Sequence, residues 1–359
     1  MLFLYLSNFF KRKSSFLRIY SIRDTFLYLG GDSLFINYRE IPVELLYYNA
    51  LSARSELSRN EKYQMKILKK GFEGECLYDK IFEETGHSNV YIFRDVYLKV
   101  GNTVTQYDSI VITDNKVTVN EIKNFHGDYH YTKDDWYRNG TSLEDDAFAQ
   151  LRRAKGKLMK LSKNSSVKFE VDAALIFIND DFRLTSENDG IWDKVIVRSH
   201  LRSYLHSLNN SQKGDKAKKI ANIINNNKVN NIYFNEKADI NRLRLGIYCG
   251  ECKSFKQVKR RFHFTCSNCG TTETNETHFL RALSDHKFLF YNQPITKKSI
   301  LYLINNQLTK STLARFMNAH CNIEKRGRSS THTFKYYDFN DALKTTAGRR
   351  YKNTIVKFE

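Results

Sequence analysis

Asp108, Glu121 and Lys123 are two acids and a base at a spacing that suits metal-dependent chemistry on a phosphodiester. Asp108 lies in Thr-Gln-Tyr-Asp-Ser-Ile-Val-Ile (105–112), and Glu121-Ile122-Lys123 closes the run Lys-Val-Thr-Val-Asn-Glu-Ile-Lys that begins at 116. Both runs read as strands. Side chains two apart on a strand share a face, so Glu121 and Lys123 point the same way. The pair Asp114-Asn115 can turn the chain and bring Asp108 beside them. Two carboxylates hold a hard divalent cation, and an adjacent lysine can orient water and stabilise phosphate charge. Taken alone, Glu-x-Lys is also the pattern of an exposed ion pair that contributes little.

A third acid is carried by a helix. Ser58-x-x-Glu61 is a capping box, and it opens a helix that runs to about residue 84. Leu68, Phe72, Glu75 and Phe82 fall on one stripe of that helix. A carboxylate among apolar side chains is costly without a partner. Glu75 therefore either serves a metal or basic ligand, or lies at the solvated edge of the stripe. Periodicity leaves both open.

These residues need a scaffold. Residues 42–54 read as a helix ahead of the capped one. Strands follow at 90–100, 105–113 and 117–123, then a polar loop with Gly127 and Trp136. A helix at 143–161, an apolar strand at 169–178 and a helix at 197–208 complete the unit. That order predicts an α/β domain over 39–208, a mixed sheet flanked by helices. Residues 209–244, rich in asparagine and lysine, read as a linker with room for a short helix.

Four stretches occur in a telling order: Gly71-Phe72-Glu73-Gly74-Glu75, Thr105-Gln106-Tyr107-Asp108, Asn120-Glu121-Ile122-Lys123-Asn124 with Gly127, and Gln150-Leu151. Together they resemble the NERD (nuclease-related) domain of the PD-(D/E)xK nuclease superfamily. The stretch from Arg39 to Arg54 is similar to the lead-in of bacterial members. The resemblance covers roughly residues 38–208 and implies a restriction-endonuclease-like fold. It also implies Asp108 and Glu121 as ligands of Mg²⁺ or Mn²⁺, with the backbone carbonyl of Ile122 a further donor. Lys123 would orient the attacking water and stabilise charge, Glu75 would help organise the metal site, and Gln150 would support it or touch nucleic acid. Gln106 would be a supporting partner on the face of Asp108. Tyr107 stands where the superfamily has its nominal proline. The Asn-Pro that often precedes the glutamine is replaced by Asp146-Ala147-Phe148-Ala149, which bears on Gln150 but not on Asp108, Glu121 or Lys123. His126 and His130 read as ordinary polar loop residues.

Four of the six cysteines, Cys249, Cys252, Cys266 and Cys269, sit within 21 residues as two Cys-x-x-Cys pairs. Two such knuckles complete a closed tetrahedral site for a structural Zn²⁺. A redox pair is the competing reading, but two matched pairs with glycine at Gly250 and Gly270 favour a zinc ribbon over 245–274. His263 would be a spare ligand with no vacancy to fill. Cysteines in this distribution suit a reducing compartment. Beyond the ribbon, helices at 276–288, 296–305 and 310–320, a basic Lys325–Arg328 turn and a strand at 333–339 suggest a winged helix-turn-helix over 275–340. Residues 310–320 would be its recognition helix and 341–359 a basic tail. A helical packing module with solvated lysines is the alternative.

The chain of 359 residues carries 58 Lys+Arg against 39 Asp+Glu. Residues 241–359 hold 22 of those bases and only 8 of the acids, so most of the +19 lies in the last third. A polyanion is the partner this implies. An AT-rich coding bias accounts for many lysines but not for their concentration at one end. The apolar stretch 1–10 precedes Lys11-Arg12-Lys13, the reverse of a secretory signal, and is too short to span a bilayer. Residues 1–38 are expected to be a poorly specified extension, and the protein to be cytoplasmic and bacterial. The expected function is metal-dependent hydrolysis of phosphodiesters, in DNA first, with the C-terminal module holding the nucleic acid. A non-catalytic DNA-binding or regulatory protein on the same scaffold, and an RNA-directed nuclease, are the rivals.

Overall fold

The computed structural model describes residues 37–211, 213–325 and 330–346. Almost all of the expected N-terminal extension, the Arg-Gly-Arg of the basic turn at 326–328 and the tail beyond 346 lie outside the described residues.

Helix α1 (Val43–Arg54) leads into α2 (Arg59–Thr85). The capping box that opens α2 is formed: Glu61 N–H donates to Ser58 Oγ at 3.2 Å, and Ser58 N–H donates to Glu61 Oε2 at 2.7 Å. Strands β1 (Tyr91–Val100), β2 (Thr103–Ile112) and β3 (Lys116–Lys123) then run antiparallel to one another. Three short strands follow, β4 (Gly127–Thr132), β5 (Asp135–Arg138) and β6 (Thr141–Ser142). Next come α3 (Ala147–Asn164), β7 (Glu170–Phe177), β8 (Phe182–Ser186), β9 (Val195–Val197), α4 (Leu201–Asn209), α5 (Asp215–Asn226) and β10 (Lys228–Val229).

The main sheet has the order β10-β1-β2-β3-β7-β9. It is mixed, because β7 and β9 are parallel to β3 and the rest antiparallel. Helices α3 and α5 cover one face, on Ile110, Ile112, Val117, Val119 and Leu175. Helices α2 and α4 cover the other, on Ile92, Val111, Ile122 and Ile176. Both faces are buried, which is why β7 reads as a continuous apolar run.

Three expectations need correction. The polar stretch after β3 is not a loop but supplies three of the four strands of a second sheet, β6-β5-β4-β8. Tyr129, Tyr131 and Trp136 turn inward from it, and their burial outweighs the turn-rich composition. Helix α3 begins four residues later than periodicity suggested, because Asp146 is its N-cap and accepts from Phe148 N–H at 2.9 Å. The expected linker at 209–244 contains α5 and β10. Ala217, Ile220, Ala221 and Ile224 recur at helical spacing and are buried in the core, while the lysines and asparagines between them face outward.

The C-terminal region opens with a three-stranded sheet, β11 (Gln257–Lys259), β12 (His263–Cys266) and β13 (Thr272–Thr274). Helices α6 (Asn275–Leu289), α7 (Lys297–Leu303) and α8 (Lys310–His320) follow, then the hairpin β14 (Cys321–Lys325) and β15 (Thr331–Phe334). Three helices and a hairpin is the order expected for a winged helix. The strand expected at 333–339 stops at Phe334, and Phe339 starts helix α9 (Phe339–Thr346), which crosses the expected boundary at 340 and buries Ala342.

Helix α6 is buried along nearly its whole length. Its Leu289 shares a cluster with Tyr47, Ala50 and Leu51 of α1, so the C-terminal region packs directly on the first helix. At that contact Arg54 Nε donates to Asp285 at 2.8 Å and its Nη1 to the carbonyl of Gly246 at 3.0 Å. Among the described residues, no helix is long and apolar enough to cross a membrane.

Candidate active site and metal centre

The ladder between β2 and β3 ends at Ser109↔Asn120. One step further along the same register Asp108 and Glu121 face each other, and the strands no longer pair. Instead Ile122 N–H donates to Asp108 Oδ2 at 2.8 Å, so the carboxylate occupies the place of a ladder carbonyl. Asp108 shares the parity of Ile110 and Ile112, and Glu121 and Lys123 share that of Val117 and Val119. All three therefore emerge on the α3 side of the sheet.

Lys123 Nζ donates to Glu121 Oε1 at 2.8 Å and to Gln150 Oε1 of α3 at 2.7 Å. Gln150 thus reaches the expected group even though no Asn-Pro precedes it. Burial disfavours the charge of Lys123, but Glu121 and Asp108 more than offset it and hold the ammonium above its ordinary pKa. Lys123 is accordingly held as a charged donor between Glu121 and Gln150. Asp108 is pushed well above the usual carboxylate range by burial and by the anions of Glu121 and Glu75. Burial and the charge of Glu121 thus oppose ionisation of Asp108, and a bound divalent cation would relieve that opposition. The residues present therefore fit a divalent ion at Asp108 and Glu121.

Glu75 comes from α2, on the other side of the sheet. Gly74 allows this approach, because a Cβ there would lie 2.6 Å from Asn124 Cβ at the end of β3. The Glu75 carboxylate is an inward member of its stripe, but its partner is Arg39, at 2.5 Å. Arg39 also binds Asp79 at 2.7 Å and donates to the carbonyl of Asp108 at 2.9 Å. Burial, opposed by Arg39, raises Glu75 to about 7. Arg39 had no role assigned from sequence. The signal was there: Glu75 and Asp79 are one helical turn apart, and two inward carboxylates at that spacing require a cation between them. Gln106 does not support Asp108; it is exposed and donates to Asp95 at 2.8 Å. His126 is no isolated loop residue, since its ring lies 2.5 Å from Lys70 Nζ and 3.3 Å from Arg138.

Glu75, Asp108, Glu121, Lys123 and Gln150 line an open groove of about 1330 Å³, together with Lys70, Arg138, Arg153 and Lys157.

The four cysteines converge as expected. Cys249 and Cys269 sulfurs are 3.6 Å apart, as are those of Cys252 and Cys266, and all four ligand atoms lie within 4.8 Å of one another. A Zn²⁺ with bonds of about 2.3 Å requires sulfur separations near 3.8 Å, so the cluster fits a zinc ribbon. Among the described residues it is the one group of three or more Cys, His, Asp or Glu ligand atoms drawn that close. His263 stands outside it, on β12. Gly250 lies over the buried Glu273–Arg281 pair, where a Cβ would come within 2.6 Å of Glu273 and 2.5 Å of Arg281. Arg281 belongs to α6 and also donates to the Tyr248 carbonyl at 3.0 Å, so the first knuckle is clamped to that helix.

No curated protein and no solved structure matches the chain. Residues 70–178, the stretch that holds Glu75, Asp108, Glu121, Lys123 and Gln150, match the family model of the nuclease-related domain, NERD, and the cysteine cluster downstream fits a zinc ribbon.

Proposed function

We propose that this protein is a metal-dependent nuclease that hydrolyses phosphodiester bonds, with DNA as its substrate. The observation that carries the reading is the convergence of Asp108, Glu121, Lys123 and Gln150 at the floor of one groove, within a nuclease-related domain. Asp108 and Glu121 would hold Mg²⁺ or Mn²⁺, with the Ile122 carbonyl a further donor. When bound, such an ion supplies Lewis-acid charge at the phosphate and acidifies water. Lys123 remains protonated between its two acceptors and presents its N–H groups to the groove. There it can position the attacking water and stabilise the charge that develops on phosphorus-bound oxygen. Gln150 fixes the ammonium in place. Glu75 and Arg39 hold α2 against the backbone of Asp108 and so set the opening of the strands.

The Cys₄ group would bind Zn²⁺ and fold the C-terminal region. We assign the role of holding nucleic acid to that region, through α8 and the basic ribbon. Cleavage of DNA with and without Mg²⁺, compared between the wild type and Lys123→Ala, tests the proposal.

One observation favours a second reading. The Glu75 carboxylate is engaged by Arg39 instead of joining Asp108 and Glu121, as a nuclease fold retained as a binding scaffold would allow. The same cleavage assay separates the two.

A further inference from the structure

The groove at the candidate site has a wall that phosphate chemistry does not require. Tyr63 and Ile67 stand one turn apart on α2, and both face solvent, at 60% and 47% exposure. The same groove is lined by Ile232 and Tyr233, which are 62% and 65% exposed. Such exposure is unusual for large apolar side chains, and four of them gathered at one groove mark a binding surface.

Tyr233 is held in place while its ring stays exposed. Its hydroxyl donates to the Val104 carbonyl of β2 at 2.6 Å, and its N–H donates to Asn231 Oδ1 at 2.9 Å. The ring is thereby pinned at the rim, at little entropic cost on binding. From Tyr63 the helix descends through Ile67, Gly71 and Glu75, one turn at a time, to the acids on the groove floor. Basic groups line the same groove: Lys70 and Arg138, bridged by His126, and Arg153 and Lys157 of α3. Glu144 and Asp145 also line the groove, so its charge is mixed.

We propose that this groove binds single-stranded nucleic acid, with Tyr63 and Tyr233 as platforms on which unpaired bases stack while the basic side chains take the phosphates. The inference rests on the nuclease reading for the chemistry at the floor, and it names the form of the substrate. The bases of a duplex are already stacked on one another and offer exposed tyrosines no face. Unpaired bases do, and each base–aromatic stack contributes enough for a measurable loss when the ring is removed. Charge complementarity selects the polyanion, and the exposed rings select the strand with free bases.

Binding of labelled oligothymidylate and of a duplex of equal length to the full chain, without added divalent ion, tests this by fluorescence anisotropy. Oligouridylate, run alongside, separates DNA from RNA as the source of the strand. Tyr63→Ala with Tyr233→Ala should weaken single-strand binding at least about fivefold and leave duplex binding within about twofold. Tyr63→Phe, which keeps the ring, should bind the single strand as the wild type does. Equal losses for strand and duplex, or no loss for the strand, would overturn the proposal. The nuclease reading fails independently: ring-dependent binding without any metal-dependent cleavage would leave the strand site standing and remove the chemistry.

Discussion

Lys123 Nζ and Gln150 Oε1 lie 2.7 Å apart, and this contact ties the last residue of β3 to the first turns of α3. Gln150 is the candidate residue whose flanking sequence departs most from the pattern it resembles, yet it reaches the same ammonium that binds Glu121. A hydrogen bond to a charged group is worth roughly 1.5–3 kcal/mol. If Gln150 holds Lys123 for catalysis, Gln150→Ala should lower kcat by roughly 10- to 100-fold and change KM little. Steady-state cleavage kinetics would show this. A change confined to KM would instead place Gln150 in substrate binding.

The contact between α1 and the C-terminal region includes a buried ion pair, Arg54 with Asp285, and Asp285 also accepts from the Tyr248 hydroxyl at 3.2 Å. Removing one partner of a buried pair leaves an uncompensated charge and costs about 3–5 kcal/mol. Arg54→Ala should therefore lower the midpoint of urea unfolding and make the segment between residues 235 and 247 more accessible to protease. An unchanged midpoint would mean that the two regions are held by apolar packing alone. A fragment beginning at 245 would expose the face of α6 that α1 covers, and should be poorly behaved unless α1 is restored.

The cysteine cluster makes a stoichiometric prediction. Metal analysis of the purified chain should return about one Zn²⁺. Cys266→Ser should abolish it, and α6 should then lose protection from hydrogen exchange, because the first knuckle rests on Arg281. A folded region without zinc would contradict the assignment.

A pH dependence follows from Glu61. The Arg242 guanidinium, opposed by burial and assisted by Ser58, holds this carboxyl down at about 2. An acid whose pKa falls on folding contributes stability that is present above its ordinary value of 4.5 and is lost as pH drops towards 2. Glu61→Gln keeps a capping side chain but removes the charge. It should cost no more than about 1 kcal/mol at pH 7, because the pair is partly exposed. The difference from wild type should shrink at pH 3. Urea midpoints at the two pH values test this; a constant difference would assign the effect to the cap and not to the ion pair.

Much of the site was legible because it depends on short-range rules. The alternation that placed Glu121 and Lys123 on one face is a property of any strand, and the turn at Asp114-Asn115 brought in Asp108. Ser58 and Glu61 announced the start of α2 by themselves. What escaped was set by tertiary contact. Arg39 is far in sequence from Glu75 and Asp79, and only the carboxylate spacing on α2 hinted at it. Gln106 has the parity of Asp108 but lies nearer the sheet rim, where Asp95 of β1 takes its amide. Helix α5 was obscured by composition: four small or branched apolar residues suffice to bury a helix whose other positions are mostly asparagine and lysine. Trp136 and its neighbouring tyrosines looked like a loop because their strands are too short to show a period.

The central claim is that Asp108, Glu121 and Lys123 cut phosphodiester bonds with a divalent ion, and one assay addresses it. Purified full-length protein is incubated with single- and double-stranded DNA in the presence and absence of Mg²⁺, beside Lys123→Ala brought through the same purification. Metal-dependent cleavage by the wild type that Lys123→Ala lacks is the predicted result. Cleavage that persists undiminished in Lys123→Ala, or no cleavage by a folded wild type with Mg²⁺ or Mn²⁺, would contradict it.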